Sequence, residues 1–311
     1  MKKKRPIKIA IVGVGKIACD QHLPAIWASD EFELVASASL GETVAGWPGF
    51  RSIDDMLAAV PKIEAVALCV PPQYRYMAAR AALLAGKHVL MEKPPGATLS
   101  EVEDLQALAA RQGCTLFASW HSRHAPAVQP AKAFLAEWPP LSVQIVWRED
   151  VRLWHPGQDW IWQAGGLGVF DPGINALSIL TEILPSRVFL QRATLGFPAN
   201  RAAPIAAELF FQDADGMQVH ADFDWRETTQ QRWDIVVQTA AGELRLGDGG
   251  ASLWRQGAAQ ALGDEKEYPS LYRHFAALIK DGRSDVDLSP LRHVADAFML
   301  GLRAQLGLFD H

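Results

Sequence analysis

Between residues 7 and 120 the chain alternates short, unbroken apolar runs with stretches of helical spacing. The runs read IKIAIVGV, FELVASAS, AVALCV, HVLME and TLFASW. Helices are expected from about Lys16, around 52–60, over about 73–86 and over about 99–112. Apolar runs without alternation belong to strands covered on both faces, and strands that take turns with helices build a parallel sheet. The fold class expected for this half is therefore α/β, a Rossmann doubly wound parallel sheet.

After His121 the pattern changes. A helix near 126–137 leads into LSVQIVWRED, and β-rich runs follow at 187–197, 205–212, 217–225 and 232–246. Segments such as MQVHADFDW alternate apolar and polar positions, as an antiparallel sheet with one covered face requires. Closing helices are expected at 271–280 and 290–305, the second with Ser289 as N-cap and Pro290 in its first turn. We therefore expect two domains, 1–121 and 122–311, the second an α+β domain with a large, mostly antiparallel open sheet. An exposed sheet face of that kind needs a cover, and a second copy of the chain would supply one, so a homodimer is expected.

Composition changes this picture little. The chain has 311 residues, 49% hydrophobic and 21% charged, with a formal net charge of -5, which suits an ordinary globular protein with two cores and gives no basic face for nucleic acid. The basic run KKKR at 2–5 reads as a solvated terminus, and IKIAIVGVG is too short and glycine-interrupted for a signal peptide. No run approaches the roughly 18 apolar residues of a membrane span. Cys19, Cys69 and Cys114 are odd in number and far apart, so neither a disulfide framework nor a zinc cluster is expected, and a reducing cytoplasm is the simplest location. His121 and His124 are three residues apart but lack acidic or thiol neighbours, so no metal is expected there.

GVGKIA places Gly13, Gly15 and Ala18 directly after the first strand and at the start of a helix. This pattern fits a dinucleotide: one small residue makes the turn, one admits the pyrophosphate, and one packs helix on strand. The phosphates would lie against the helix start at Lys16 and Ile17. An acid at the end of the second strand would hold the ribose of NAD and repel the extra phosphate of NADP. Ser37 and Ser39 stand there instead, which predicts use of NADP or NAD with a lean to NADP, and Lys16 or Arg51 as phosphate partners.

The stretch CVPPQYRYMAARAALLAGKHVLMEKPPGAT carries a more specific pattern. It resembles the glucose–fructose oxidoreductase and inositol dehydrogenase family, which has T-P-x-x-x-H followed by A-G-K-H-V-x-x-E-K-P. The resemblance spans the chain and implies a Rossmann domain followed by an α/β domain on a largely antiparallel sheet. It also implies that Cys69, Val70 and Pro71 run past a nicotinamide, that Glu92 and Lys93 lie at cofactor and substrate, and that the peptide before Pro94 is cis; His121, directly after TLFASW, reads as a hinge or cofactor-side histidine. Arg75 stands where the family often has histidine.

A further stretch, GGLGVFDPGINALSIL, is similar to the family's G-G-G-x-x-x-D-x-G-x-H, with Asp171 kept and Asn175 in the histidine position. A separation of four puts both side chains on one helix face. This variant resembles the branch of L-arabinose and D-galactose 1-dehydrogenases, which oxidise an aldose at C1 to its lactone. By that likeness Glu149, Trp154 and His155, from WREDVRLWHPGQDW, would join the sugar site. Carboxylate, amide and imidazole suit hydroxyls, and indole suits the apolar face of a sugar ring.

Oxidation of a hemiacetal needs a proton acceptor and a group that steadies the developing oxyanion. Lys93 and Asp171 are the candidates for base, and either assignment fits. Asn175, unable to accept the proton that a histidine would, is expected to anchor a sugar hydroxyl. Two other readings stay open from sequence: oxidation of an inositol or other cyclic polyol, and a non-catalytic sensor that keeps the dinucleotide site. Trp147, Trp154, Trp160 and Trp162 are core or loop packing by default, with one or two facing the ligand, and Trp233 fits a strand or a subunit contact.

Overall fold

The computed structural model describes residues 5–264 and 266–310, so most of the basic run at 2–5 lies outside the described residues. The first stretch builds β1 (Ile7–Val12), α1 (Leu23–Trp27), β2 (Phe32–Ala38), β3 (Gly49–Phe50) and α2 (Ile53–Ala59). It continues with β4 (Ala65–Leu68), α3 (Pro72–Leu84), β5 (His88–Glu92), α4 (Leu99–Gln112) and β6 (Leu116–Ser119). Strand order is β3-β2-β1-β4-β5-β6, with every pairing parallel. The order reverses between β1 and β4, and in such sheets ligands bind beyond the carboxyl ends of the strands at that switch. Every residue of β4 and β6 is buried, as strands covered on both faces demand.

Local chemistry sets the helix ends. Ser52 caps α2 by accepting the Asp55 amide, and Thr98 caps α4 by accepting the Glu101 amide, while Glu101 reaches back to the Ala97 amide. Each such cap stabilises a helix by about 1 kcal/mol. Gly113 closes α4 in the left-handed conformation.

The later part of the chain builds α5 (Val128–Glu137), β7 (Pro140–Arg148), α6 (Val151–Trp154) and α7 (Phe170–Ile183). Strands β8 (Val188–Pro198), β9 (Ala206–Asp213), β10 (Gln218–Asp224), β11 (Arg232–Thr239), β12 (Gly242–Gly247), β13 (Ser252–Arg255) and β14 (Ala258–Ala259) follow. The chain then forms α8 (Glu267–Asp281), α9 (Ser289–Leu300) and β15 (Leu302–Leu306). The nine-stranded sheet runs β14-β13-β12-β11-β7-β10-β9-β8-β15 and is mostly antiparallel, with β7–β10 and β8–β15 parallel. Alternating burial along β7 and β10 gives one covered face, against which α7 packs.

Two sequence expectations need correction, and one β-rich run resolves into two strands. The chain does not divide cleanly at 121: Lys266–Leu288 joins the first compact unit, because Leu271, Tyr272, Phe275 and Leu278 of α8 share a core with Ile9, Ile11, Phe32, Leu34 and Phe117. The run at 232–246 is two strands, turned through Gly242 at φ +100°, with the Thr239 hydroxyl accepting the Ala241 amide. The expected helix 290–305 stops at Leu300, and residues 302–306 become an edge strand on β8. There Leu302, Ala304 and Leu306 fit a period of two as well as a helical one, and ladder hydrogen bonds decide between them. No helix among the described residues is long and apolar enough to cross a membrane.

Candidate active site

In the first unit, the turn after β1 carries Gly13 at φ +88°. A Cβ there would lie 2.8 Å from the Val70 backbone nitrogen, so the protein's own packing demands glycine. Gly15 is different: a Cβ on it would meet nothing within 4 Å. The space above Gly15 is therefore open for a pyrophosphate, beside helical backbone that begins at residues 16 and 17. Ala18 is fully buried, as close packing of helix on strand needs. The residues present fit a dinucleotide.

The ribose side is partly revised. Ser37 is fully buried and its hydroxyl accepts the Val44 amide at 3.0 Å, so it ties the following loop to β2 and is not offered to a ligand. Ser39 is half-buried and its amide donates to the Phe50 carbonyl. Lys16 is exposed and pairs with Asp20 one helical turn on, while Ile17 and Arg51 are also exposed. No acid follows β2 to repel a 2′-phosphate before Glu42.

Cys69, Val70 and Pro71 leave the end of β4 half-buried, and Lys93 leaves the end of β5 half-buried with a cis bond to Pro94. Behind Lys93 lies a closed polar cluster on Glu92. Its carboxylate accepts from His22 Nε2 (3.1 Å), the Tyr268 hydroxyl (2.9 Å), the Ser119 hydroxyl (3.5 Å) and the Lys93 amide (2.7 Å). His22 Nδ1 contacts the Tyr272 hydroxyl at 2.8 Å. A π-helical turn, Ala18–His22, delivers His22 into this buried position. His121 stacks on Tyr268 and meets Glu267 at 2.6 Å.

Burial by itself would raise the Glu92 carboxyl, but the His22 hydrogen bond and charge, then His121 and Lys93, hold it well below the usual carboxylate range. Burial pushes the Tyr272 phenol up to about 12. Glu92 is therefore an ionised anchor, and the sequence pattern offered no sign of its partners His22 and Tyr268, nor of Tyr272 behind His22.

In the second unit, α7 carries Asp171, buried in its first turn, and Asn175 one turn later, half-buried on a helix whose neighbouring positions are buried. Glu149 at the end of β7 is buried and accepts from two indoles, Trp225 Nε1 at 3.1 Å and Trp233 Nε1 at 2.7 Å. His155, just past α6, stands 3.6 Å from Glu149 and 3.7 Å from Asp171, with its side chain 15% exposed. Trp154 is exposed and packs edge-on to Trp233 at 5.8 Å. Glu149, His155, Trp154 and Asp171 are thus brought together, Asn175 shares the Asp171 helix, and Trp225 and Trp233 join them. Trp233 is a donor to Glu149, a role that strand periodicity does not reveal. The described residues contain no group of His, Cys, Asp and Glu able to hold a metal.

A parallel sheet of this order, an open glycine turn at its switch point and a buried acid behind a half-buried lysine define a dinucleotide-dependent oxidoreductase fold. Residues 7–119 match the family described as "Oxidoreductase family, NAD-binding Rossmann fold". Galactose 1-dehydrogenase of Pseudomonas fluorescens is 46% identical over 98% of this chain and 99% of its own length. The chain belongs to the glucose–fructose oxidoreductase and inositol dehydrogenase (Gfo/Idh/MocA) family. A solved D-galactose-1-dehydrogenase from Rhizobium etli is 62% identical, with TM-score 0.96 and 100% of both chains covered. A 3-ketoreductase from Actinomadura kijaniata, solved with NADP and TDP-benzene, shares the fold with TM-score 0.82 at 21% identity, over 97% of this chain and 100% of its own.

Proposed function

We propose that this protein is an NAD(P)-dependent aldose 1-dehydrogenase that oxidises a pyranose at its anomeric carbon to the lactone, with D-galactose and L-arabinose as substrates. The observation that carries this reading is full-length likeness to two galactose 1-dehydrogenases, at 62% and 46% identity. The second-unit cluster supports it chemically: Asp171, Asn175 and His155 suit hydroxyls, and the exposed Trp154 offers an apolar face to a ring. The two sugars share their hydroxyl arrangement from C1 to C4, so a site that reads those carbons accepts both.

A nicotinamide dinucleotide, when bound over Gly13 and Gly15, would supply the hydride acceptor. Lys93 takes the C1 hydroxyl proton, directly or through a relay, and Asp171 is the alternate base. Asn175 donates its amide to a sugar hydroxyl. The absence of an acid at the β2 end supports NADP alongside NAD, with NADP preferred. We also propose a homodimer through the open sheet face, tested by sedimentation equilibrium; a monomer at micromolar concentration would remove it.

The deciding experiment follows dinucleotide reduction at 340 nm against a panel of aldoses and inositols with each cofactor. We expect turnover of D-galactose and L-arabinose. Turnover of inositols alone would make the protein a polyol dehydrogenase, and silence despite tight dinucleotide binding would make it a sensor. Lys93→Ala should lower kcat by about 10²-fold, and a fully active variant would remove Lys93 from the mechanism.

A further inference from the structure

The hydrogen-bond ladder between β4 and β5 ends at the pair Leu68 and Met91. The chain segments that matter most, Cys69–Pro71 and Glu92–Pro94, begin just beyond it. Across that gap a single side chain collects carbonyls from both segments. Arg75, in the first turns of α3 and 2% exposed, donates from Nη2 to the Val70 carbonyl and from Nη1 to the carbonyls of both Glu92 and Pro94.

We propose that Arg75 is a positioning residue for Lys93, a buried guanidinium that locks the Val70 segment and the Glu92–Lys93–Pro94 corner to one another. The proposal rests on the reading that Lys93 acts in the oxidation. The guanidinium is planar and forked, with five N–H donors in fixed directions, so it can bridge three carbonyls on two segments. A histidine at this position would have at most two ring N–H groups. Lysine keeps the charge but presents it from a flexible stem without a fork.

The corner is gripped from a second direction by the Glu92 carboxylate, which accepts the Lys93 amide while its other oxygen is held by His22 and Tyr268. Between the two grips, the backbone on either side of Lys93 is fixed. A full charge buried among neutral carbonyls is costly to desolvate. Positional rigidity is what it returns, since a displacement of about 1 Å at a reacting group can cost on the order of 10²-fold in rate.

The test compares Arg75→Lys, Arg75→His and Arg75→Ala in the full chain. We expect kcat to fall by about 10- to 100-fold while the KM for D-galactose stays unchanged, because the sugar's own contacts are not touched. Added methylguanidinium should restore part of kcat in Arg75→Ala and do nothing for the wild type. In hydrogen–deuterium exchange the amides of Cys69, Val70, Lys93 and Gly96 should exchange faster, with the second unit unaffected. Arg75→Lys keeps the test open should the alanine variant not fold. Wild-type kcat in Arg75→His, or unchanged exchange at those four amides, would overturn the proposal. If the wild-type protein turns over no aldose, the functional reading fails, while the exchange measurement still decides whether the clamp exists.

Discussion

Glu92 in the first unit and Glu149 in the second are built from similar parts, a buried carboxylate, aromatic donors and a histidine: Tyr268 donates to Glu92 while Tyr272 meets His22, and two indoles donate to Glu149. They differ in how fully the histidine is used. His22 is buried, contacting Glu92 at 3.1 Å and the Tyr272 hydroxyl at 2.8 Å, so both ring nitrogens are occupied by the protein. His155 lies 3.6 and 3.7 Å from its two carboxylates, outside hydrogen-bond length, and remains partly exposed. A closed network stiffens what it supports, and an open one has capacity for a ligand. Hence the Glu92 cluster sets the backbone behind Lys93, whereas the imidazole of the Glu149 cluster, in a long 3.5 Å contact with Gln158 Oε1 and partly exposed, is placed where a hydroxyl can reach it.

The strongest way to break this comparison is to neutralise each acid in turn. Glu92→Gln leaves His22 and Tyr268 facing an amide in a dry site and should cost about 3 kcal/mol or more of stability, read as a lower midpoint in urea. Glu149→Gln should lower stability by less, about 1 kcal/mol, and chiefly raise the KM for the sugar. Equal losses of stability in the two variants would abolish the distinction.

Asn175→Leu tests the open side more finely. It should raise the KM for D-galactose about tenfold, one hydrogen bond to substrate lost, with the fold and dinucleotide affinity intact. Wild-type sugar affinity in this variant would take Asn175 out of the site.

Acid titration sharpens the closed side. Because Glu92 is held below the usual carboxylate range in the folded protein, its stabilising contribution is full above that range and is lost as pH falls below it. The gap in stability between wild type and Glu92→Gln should therefore narrow between about pH 5 and pH 3; a gap independent of pH would mean that Glu92 is not an ionised anchor. At the other extreme, Tyr272 should keep its phenolic proton until near pH 12, its support lost as pH climbs through that value, which ultraviolet difference absorbance would follow.

The sequence by itself determined the parallel sheet, the glycine turn, the proline-stiffened corner after Lys93 and the pairing of Asp171 with Asn175 on one helix, while the cis form of that corner was implied only by the family resemblance. Each is a local matter: unbroken apolar runs, small residues at fixed offsets, a proline after a lysine, a separation of four. Tertiary structure alone decided the rest. Tyr268 lies 176 residues from Glu92, Tyr272 lies 250 residues from His22, and the indoles on Glu149 lie 76 and 84 residues from it, so no short window of sequence contains either cluster. The helix that carries both tyrosines has an apolar face that would suit either sheet, and only the uncovered side of the parallel sheet shows where it belongs. Arg75 read as a substitution in a motif, and became a clamp once three carbonyls from two chain segments were seen to converge on it. Periodicity reports which face of an element is buried; which buried polar groups meet depends on long-range packing that periodicity does not encode.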